Sequence, residues 1–277
     1  MALLTVATGS LLEKLRETGR LVMIQHTVFA LPFAVIALVS TDRGPWLPPG
    51  VWWWVGVAMV SARTAAMAFN RLVDHRFDML NPRTVGRSLP AGRLDRSFVW
   101  LLTALSAAIV VFAASQLNRL CLALALPALA LLLGYSFAKR FTSLAHLWLG
   151  VALGIAPVGT WVAVTGRLDP VALVLAAAVT AWVAGFDVVY SLQDEGFDRR
   201  HGLRSLPARL GARGALWVAR GLHVVAFLGF VAFAVATGGG PWRLAAAFTA
   251  GALLVWQHRL VAPDDLSAVD AAFFAPL

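Results

Sequence analysis

Ala68-Phe69-Asn70-Arg71-Leu72-Val73-Asp74-His75-Arg76-Phe77-Asp78 closes an apolar run that begins near residue 51, and the reading of the fold starts from how that run ends. About twenty apolar residues suffice to cross a bilayer as helix, and the run has that length. It passes directly into a polar stretch in which Asn70, Asp74 and Asp78 recur at i, i+4 and i+8. A helix continuing out of the membrane would therefore carry them as one oxygen-bearing stripe.

Further runs of similar length fall at roughly 22–40, 97–115, 118–137, 144–165, 169–190, 214–237 and 241–260, which predicts an all-α, polytopic membrane bundle of about eight spans. The composition agrees: 60% of the 277 residues are hydrophobic, 13% are charged, and the mean hydropathy is +0.76. Those figures exclude a water-soluble enzyme and a disordered chain, and the single Cys121 excludes a disulfide scaffold. The stretch Ala271–Leu277 is too short to cross and reads as an interfacial end or a truncated helix. Residues 1–21 carry Glu13, Lys14, Arg16, Glu17 and Arg20 without a cleavage pattern, so no cleaved signal is expected.

The formal charge of +9 would suggest nucleic acid in a soluble protein. Here the basic residues lie in the joints between apolar runs, which favours anionic lipid or a phosphorylated substrate and argues against nucleic acid. No obligate protein partner is expected. Seventeen of the 23 Lys and Arg fall on one side of the alternating spans, with the N-terminus and the long loops 71–96 and 191–213; by the positive-inside rule that side is cytoplasmic. The bilayer implied is the inner (cytoplasmic) membrane.

The chain repeats itself. Asp74 and Asp78 recur as Asp194 and Asp198, and Arg87-Ser88-Leu89-Pro90-Ala91 recurs as Arg204-Ser205-Leu206-Pro207-Ala208. The expectation is one domain over 1–277 built from two parallel four-helix pseudo-repeats, about 22–140 and 141–260, with a site where they meet. In the second copy Asp187, Tyr190, Asp194 and Asp198 again share one helical face. Two such stripes on the same side of the membrane need compensating cations, and oxygen-only ligands favour a hard ion such as Mg²⁺ completed by substrate phosphates. Arg71, Arg83, Arg87, Arg200, Arg204 and Lys139 surround the same face and suit a diphosphate.

Asn70-Arg71-x-x-Asp74-x-x-x-Asp78, followed by Asn81-Pro82-Arg83-Thr84 and Arg87-Ser88-Leu89-Pro90-Ala91-Gly92, resembles the first signature of the UbiA superfamily of intramembrane aromatic prenyltransferases. Tyr190-Ser191-Leu192-Gln193-Asp194-x-x-x-Asp198 resembles the second, and Tyr135 to Arg140 its short central loop motif. The closest look is to the 4-hydroxybenzoate polyprenyltransferase branch, with relatives in menaquinone synthesis. The family usually has nine helices, and this chain stops just where the last would begin.

The resemblance implies that Asn70, Asp74, Asp78, Asp194 and Asp198 hold two Mg²⁺, with Mn²⁺ as a substitute, on the diphosphate of a polyprenyl donor. It further implies that Arg71 and Lys139 contact the diphosphate and that Tyr135 or Asp187 lies near an aromatic acceptor, with Asp187 the candidate base. Tyr190 and Arg204, within the second signature, are carried as substrate-binding candidates. Arg63 stands two turns before Asn70 on the same face and pairs either with an acceptor carboxylate or with Asp187. His26 reads as a packing residue, Trp52-Trp53-Trp54 as an interfacial anchor, and Gly238-Gly239-Gly240 as a turn. The rival from another class is a parallel-repeat transporter, whose polar residues would gather at the membrane midplane instead.

Overall fold

The computed structural model describes residues 11–22, 31–42, 44 and 46–274. His26 lies outside them. Each predicted span contains a helix: α2 (Leu31–Val39), α3 (Pro49–Leu80), α4 (Arg96–Leu117), α5 (Arg119–Gly134), α7 (Ala145–Thr165), α8 (Pro170–Ser191), α10 (Leu206–Ala236) and α11 (Pro241–Leu260). Shorter helices α1 (Leu11–Val22), α6 (Ala138–Phe141), α9 (Glu195–Arg200) and α12 (Val269–Phe274) complete the chain. Among the described residues, five helical stretches are long and apolar enough to cross a membrane, namely α4, α5 continued through α6, α7, α8 continued through α9, and α10. In α3 the charged residues that make the site lower the apolarity.

The surface follows the logic of a bilayer. Leu101, Leu126, Val224, Leu228, Val235 and Phe248 are all more than half exposed, which water would not tolerate as a continuous band and lipid favours. Exposed Trp46, Trp53 and Trp242 cluster at one end of the helices and Trp100 and Trp217 at the other, where an amphipathic ring fits the headgroup level. The protein is a multi-pass, all-helical membrane protein.

Helix α7 packs against α2, α3 and α5, while α8 is clasped between α7 and α10. Close approach of α7 and α8 depends on Gly150 and Gly154. A Cβ on Gly150 would lie 2.2 Å from the carbonyl oxygen of Thr180, and one on Gly154 would lie 2.6 Å from the Thr180 hydroxyl. Small residues one turn apart let membrane helices touch backbone to backbone. Gly150→Val should therefore destabilise the bundle by about 1–3 kcal/mol, read as a lowered melting temperature in detergent. An unchanged melting temperature would mean that this contact is not tight.

Three features depart from a simple reading of the pattern. The second Asp stripe does not ride on one continuous α-helix, because residues Leu192–Asp194 form a 3₁₀ turn between α8 and α9. At 120° per residue instead of 100°, three such residues turn Asp194 and Asp198 by about 60° relative to Asp187. The C-terminal stretch folds back as α12, whose Val269 and Ala272 are fully buried with Val188, Leu192 and Leu216. Finally, α1 docks on the loop after α3: buried Glu17 accepts from Ser88 Oγ at 2.7 Å and from Arg93 Nε at 2.7 Å and pairs with Arg20. The hydrogen bond from Arg93, aided by Ser88 and Arg20, outweighs burial and holds the Glu17 carboxyl down at about 2.

Candidate active site

The C-terminal end of α3, the turn at Tyr135–Phe137, α6, and the α8–α9 junction enclose a cavity of about 330 Å³. Asn70, Asp74 and Asp78 reach it from α3, and Asp194 and Asp198 from the junction. Arg63, Arg71, Tyr135, Lys139, Asp187 and Tyr190 line it too. Of the sequence candidates Arg200 does not line it, and neither does Arg204. The Arg204 guanidinium donates to the Phe141 carbonyl at 2.8 Å and its backbone N–H to that of Lys139 at 2.7 Å, so Arg204 braces the loop that carries Lys139.

Each of the four stripe carboxylates faces a cation. Arg87 Nη1 lies 2.7 Å from Asp78, Arg140 Nη2 3.5 Å from Asp74, and Lys139 Nζ 3.5 Å from Asp198. Arg83 grips Asp194 through Nε and Nη2, donates from Nη1 to the Tyr190 hydroxyl at 2.9 Å, and lies over the Tyr190 ring. Burial works against the Arg83 charge, but the neighbouring Asp194 carboxylate overcomes it, so this guanidinium binds its proton more tightly than usual. Asn70 donates to Asp74 at 2.9 Å and Asn81 to Asp194 at 3.3 Å. Arg83 and Arg140 thus act across the mouth; the sequence placed Arg83 near the face but did not foretell that it would join the loop after α3 to the α8–α9 junction.

Would these residues accept a divalent ion? Asp78 Oδ2 and Asp198 Oδ2 are buried without a hydrogen-bond partner, the latter with only the Lys139 ammonium 3.5 Å away, a costly state for carboxylate oxygens that a bound ion would relieve. Among the described residues no three His, Cys, Asp or Glu side chains converge on one point. An ion here would draw one or two carboxylates and complete its shell with substrate oxygens, which is the habit of Mg²⁺. The residues fit that role.

Deeper in, the cavity turns apolar against Met67, Leu149, Leu153, Trp182 and Phe186. Trp182 and Phe186 meet edge to face with centroids 4.8 Å apart. At this depth Arg63 stands seven residues before Asn70, and Asp187 seven before Asp194. Arg63 does not pair with Asp187. Its Nε is buried without a hydrogen-bond partner, while Asp187 Oδ2 is 2.6 Å from His146 Nδ1. His146 escaped notice because a single imidazole in Ala145-His146-Leu147 gives no spacing to read; an ionisable residue inside a predicted span was the available signal.

Residues 29–276 match the UbiA prenyltransferase family. The 4-hydroxybenzoate octaprenyltransferase of Neisseria meningitidis serogroup B is 33% identical over 149 residues, 54% of this chain and 50% of that protein. The enzyme of the same name from Aeromonas salmonicida is 30% identical over 262 residues, 93% of this chain and 86% of that one. Among solved structures, the apo UbiA homolog of Aeropyrum pernix K1 superposes with a TM-score of 0.84 at 35% identity, covering 91% of this chain and 94% of that chain. A UbiA homolog from Archaeoglobus fulgidus, bound to DMAPP and Mg²⁺, shares the fold with a TM-score of 0.70 at 16% identity, covering 94% and 97%.

Proposed function

Because the chain belongs to the UbiA prenyltransferase family, we propose that it moves a polyprenyl group from an isoprenyl diphosphate to a ring carbon of a hydroxylated aromatic acid. The first choice of acceptor is 4-hydroxybenzoate and the setting is quinone biosynthesis, for ubiquinone or menaquinone. The observation that carries this reading is the layering of one cavity, with carboxylates and cations at its mouth and Arg63 and Asp187 below them against an apolar wall. Among its lining residues, the six Arg and Lys exceed the five Asp by one, a balance that favours an anion. The same reading includes the two parallel pseudo-repeats and a mouth open to the cytoplasm at the inner membrane.

Asn70, Asp74, Asp78, Asp194 and Asp198 would hold two Mg²⁺ ions, or Mn²⁺ in their place. Bound there, the ions neutralise charge developing on the departing pyrophosphate. Arg83, Arg87 and Arg140, which pair with the carboxylates, turn to phosphate oxygens, joined by Arg71 and Lys139. The carbon–oxygen bond of the donor breaks with both electrons leaving on pyrophosphate, and the allylic cation meets the electron-rich ring carbon beside the hydroxyl. Loss of that carbon's proton restores aromaticity. Asp187 is placed to take the proton, Arg63 to hold the acceptor carboxylate, and Tyr135 to border the acceptor. Carboxylates gathered at helix ends beside arginines suit this chemistry better than a midplane transport site.

The test is the protein in liposomes with several aromatic acids and with geranyl and longer diphosphates, the products read by mass spectrometry. The expected product is the prenylated acid with its carboxyl group intact. Prenylation only of a porphyrin ring or chlorophyllide, or a product that has lost carbon dioxide, would overturn the acceptor assignment.

A further inference from the structure

His146 is the most enclosed ionisable side chain beside the cavity, with 1% of its surface exposed, and both of its ring nitrogens are engaged. On one side Nδ1 lies 2.6 Å from Asp187 Oδ2. On the other, Nε2 lies 3.3 Å from the backbone nitrogen of Leu206, the first residue of α10. A backbone N–H can only donate, so Nε2 is the acceptor and carries a lone pair. The proton of the neutral ring then sits on Nδ1, which donates to the Asp187 carboxylate. A doubly protonated imidazole would set two donors against each other across 3.3 Å.

We propose that His146 is the positioning residue of Asp187: a neutral imidazole, its tautomer set by the Leu206 N–H, that fixes the carboxylate through Oδ2 and leaves Oδ1 to the aromatic acceptor. This rests on the proposed role of Asp187 and adds to it the group that orients it. The partner that binds the second nitrogen of a histidine decides which nitrogen is protonated and how the ring is aimed. With Nε2 committed to Leu206, the imidazole does not relay a proton. The proton lost by the acceptor is held on Asp187 at the oxygen facing the cavity, and it leaves by the cavity.

The same arrangement ties Asp187 to the cytoplasmic loops. Leu206 comes directly after Arg204 and Ser205; the Arg204 N–H bonds the Lys139 carbonyl, and Ser205 Oγ caps α10 by accepting from Ala208 N–H. The loop that carries Lys139 and the start of α10 thus bear on the imidazole from one side, while the tight α7–α8 contact at Gly150 holds it from the other.

Three variants test the proposal. The side-chain amide of asparagine can present an N–H near the place of Nδ1, glutamine near that of Nε2, and leucine neither. His146→Asn should keep kcat within about threefold of the unmutated protein, whereas His146→Leu and His146→Gln should lower it about thirtyfold, corresponding to about 2 kcal/mol. Binding of a non-hydrolysable isoprenyl diphosphate with Mg²⁺ should be unchanged in all three, which also shows that they fold. Independently of turnover, isotope-edited infrared spectra should show the Asp187 carboxylate band, assigned with Asp187→Asn, shifted in His146→Leu and restored in His146→Asn. Equal loss in all three variants with no band shift would overturn the proposal. An unmutated protein that prenylates no aromatic acid, yet shows the band shift, would overturn the proposed function while leaving the positioning role standing.

Discussion

Asp194→Ala should lower turnover at least about a thousandfold while the bundle stays folded. Asp194 accepts from Arg83 and Asn81, and a third of the Arg83 side chain is exposed to solvent. Removing the carboxylate strands no deeply buried charge, so the stability cost should stay near that of a surface ion pair, about 1 kcal/mol or less. The cost to catalysis is of another order. Pyrophosphate leaves only if its developing charge is met, and electrostatic groups aimed at a leaving oxygen commonly account for about 10²–10³ in rate each. Loss of Asp194 also frees Arg83 from its place across the mouth. Asp74→Ala should act alike, since its neighbours Asn70 and Arg140 cannot replace a carboxylate. Pyrophosphate release alongside the melting temperature measures both quantities, and unimpaired release by the unmutated protein in EDTA would reject the metal assignment.

How much of this was written in the chain can be judged residue by residue. The helices were legible because a bilayer admits few solutions: twenty or so apolar residues with satisfied backbone groups must be helix. The meeting of Asp74, Asp78, Asp194 and Asp198 was legible from the repeat, since both pairs leave a span on the same side. Arg204 shows the limit of that reasoning. It occupies the place in the second copy that Arg87 occupies in the first, yet Arg87 pairs with Asp78 and Arg204 braces the Phe141 carbonyl. The two copies diverge in backbone beyond the stripe. Arg87 lies in a loop closed by Gly92 at φ +69, whereas Ser205 already caps α10. The Arg-Ser-Leu-Pro-Ala motif is the same in both copies, but Arg87 follows Asp78 by nine residues and Arg204 follows Asp198 by six, and the local backbone decided where each guanidinium went.

Pairings across the cavity were hidden for a related reason. The Arg83–Asp194 pair spans 111 residues and His146–Asp187 spans 41, and neither separation can be derived from helical periodicity. The sequence left Arg63 with two partners. The structure excludes Asp187 as one of them, because His146 has taken its place, and so sharpens what Arg63 should do.

Arg63→Ala should raise the KM for the acceptor about a hundredfold and leave the KM for the donor unchanged. Seven residues of helix put Arg63 about 10 Å deeper than Asn70, beyond direct reach of a diphosphate held at the mouth. Its Nε is buried without a hydrogen-bond partner, a cost that an incoming carboxylate would relieve. A charge-assisted pair in such a place is worth about 3 kcal/mol, which is the hundredfold. If the carboxylate is what Arg63 holds, the unmutated protein should prefer 4-hydroxybenzoate to its uncharged amide, Arg63→Ala should treat the two alike, and Arg63→Lys should recover part of the preference. An alanine variant that kept the full preference would show that the acceptor is anchored elsewhere. Discrimination between acid and amide is the readout that matters, because a general disturbance of α3 would weaken both acceptors equally.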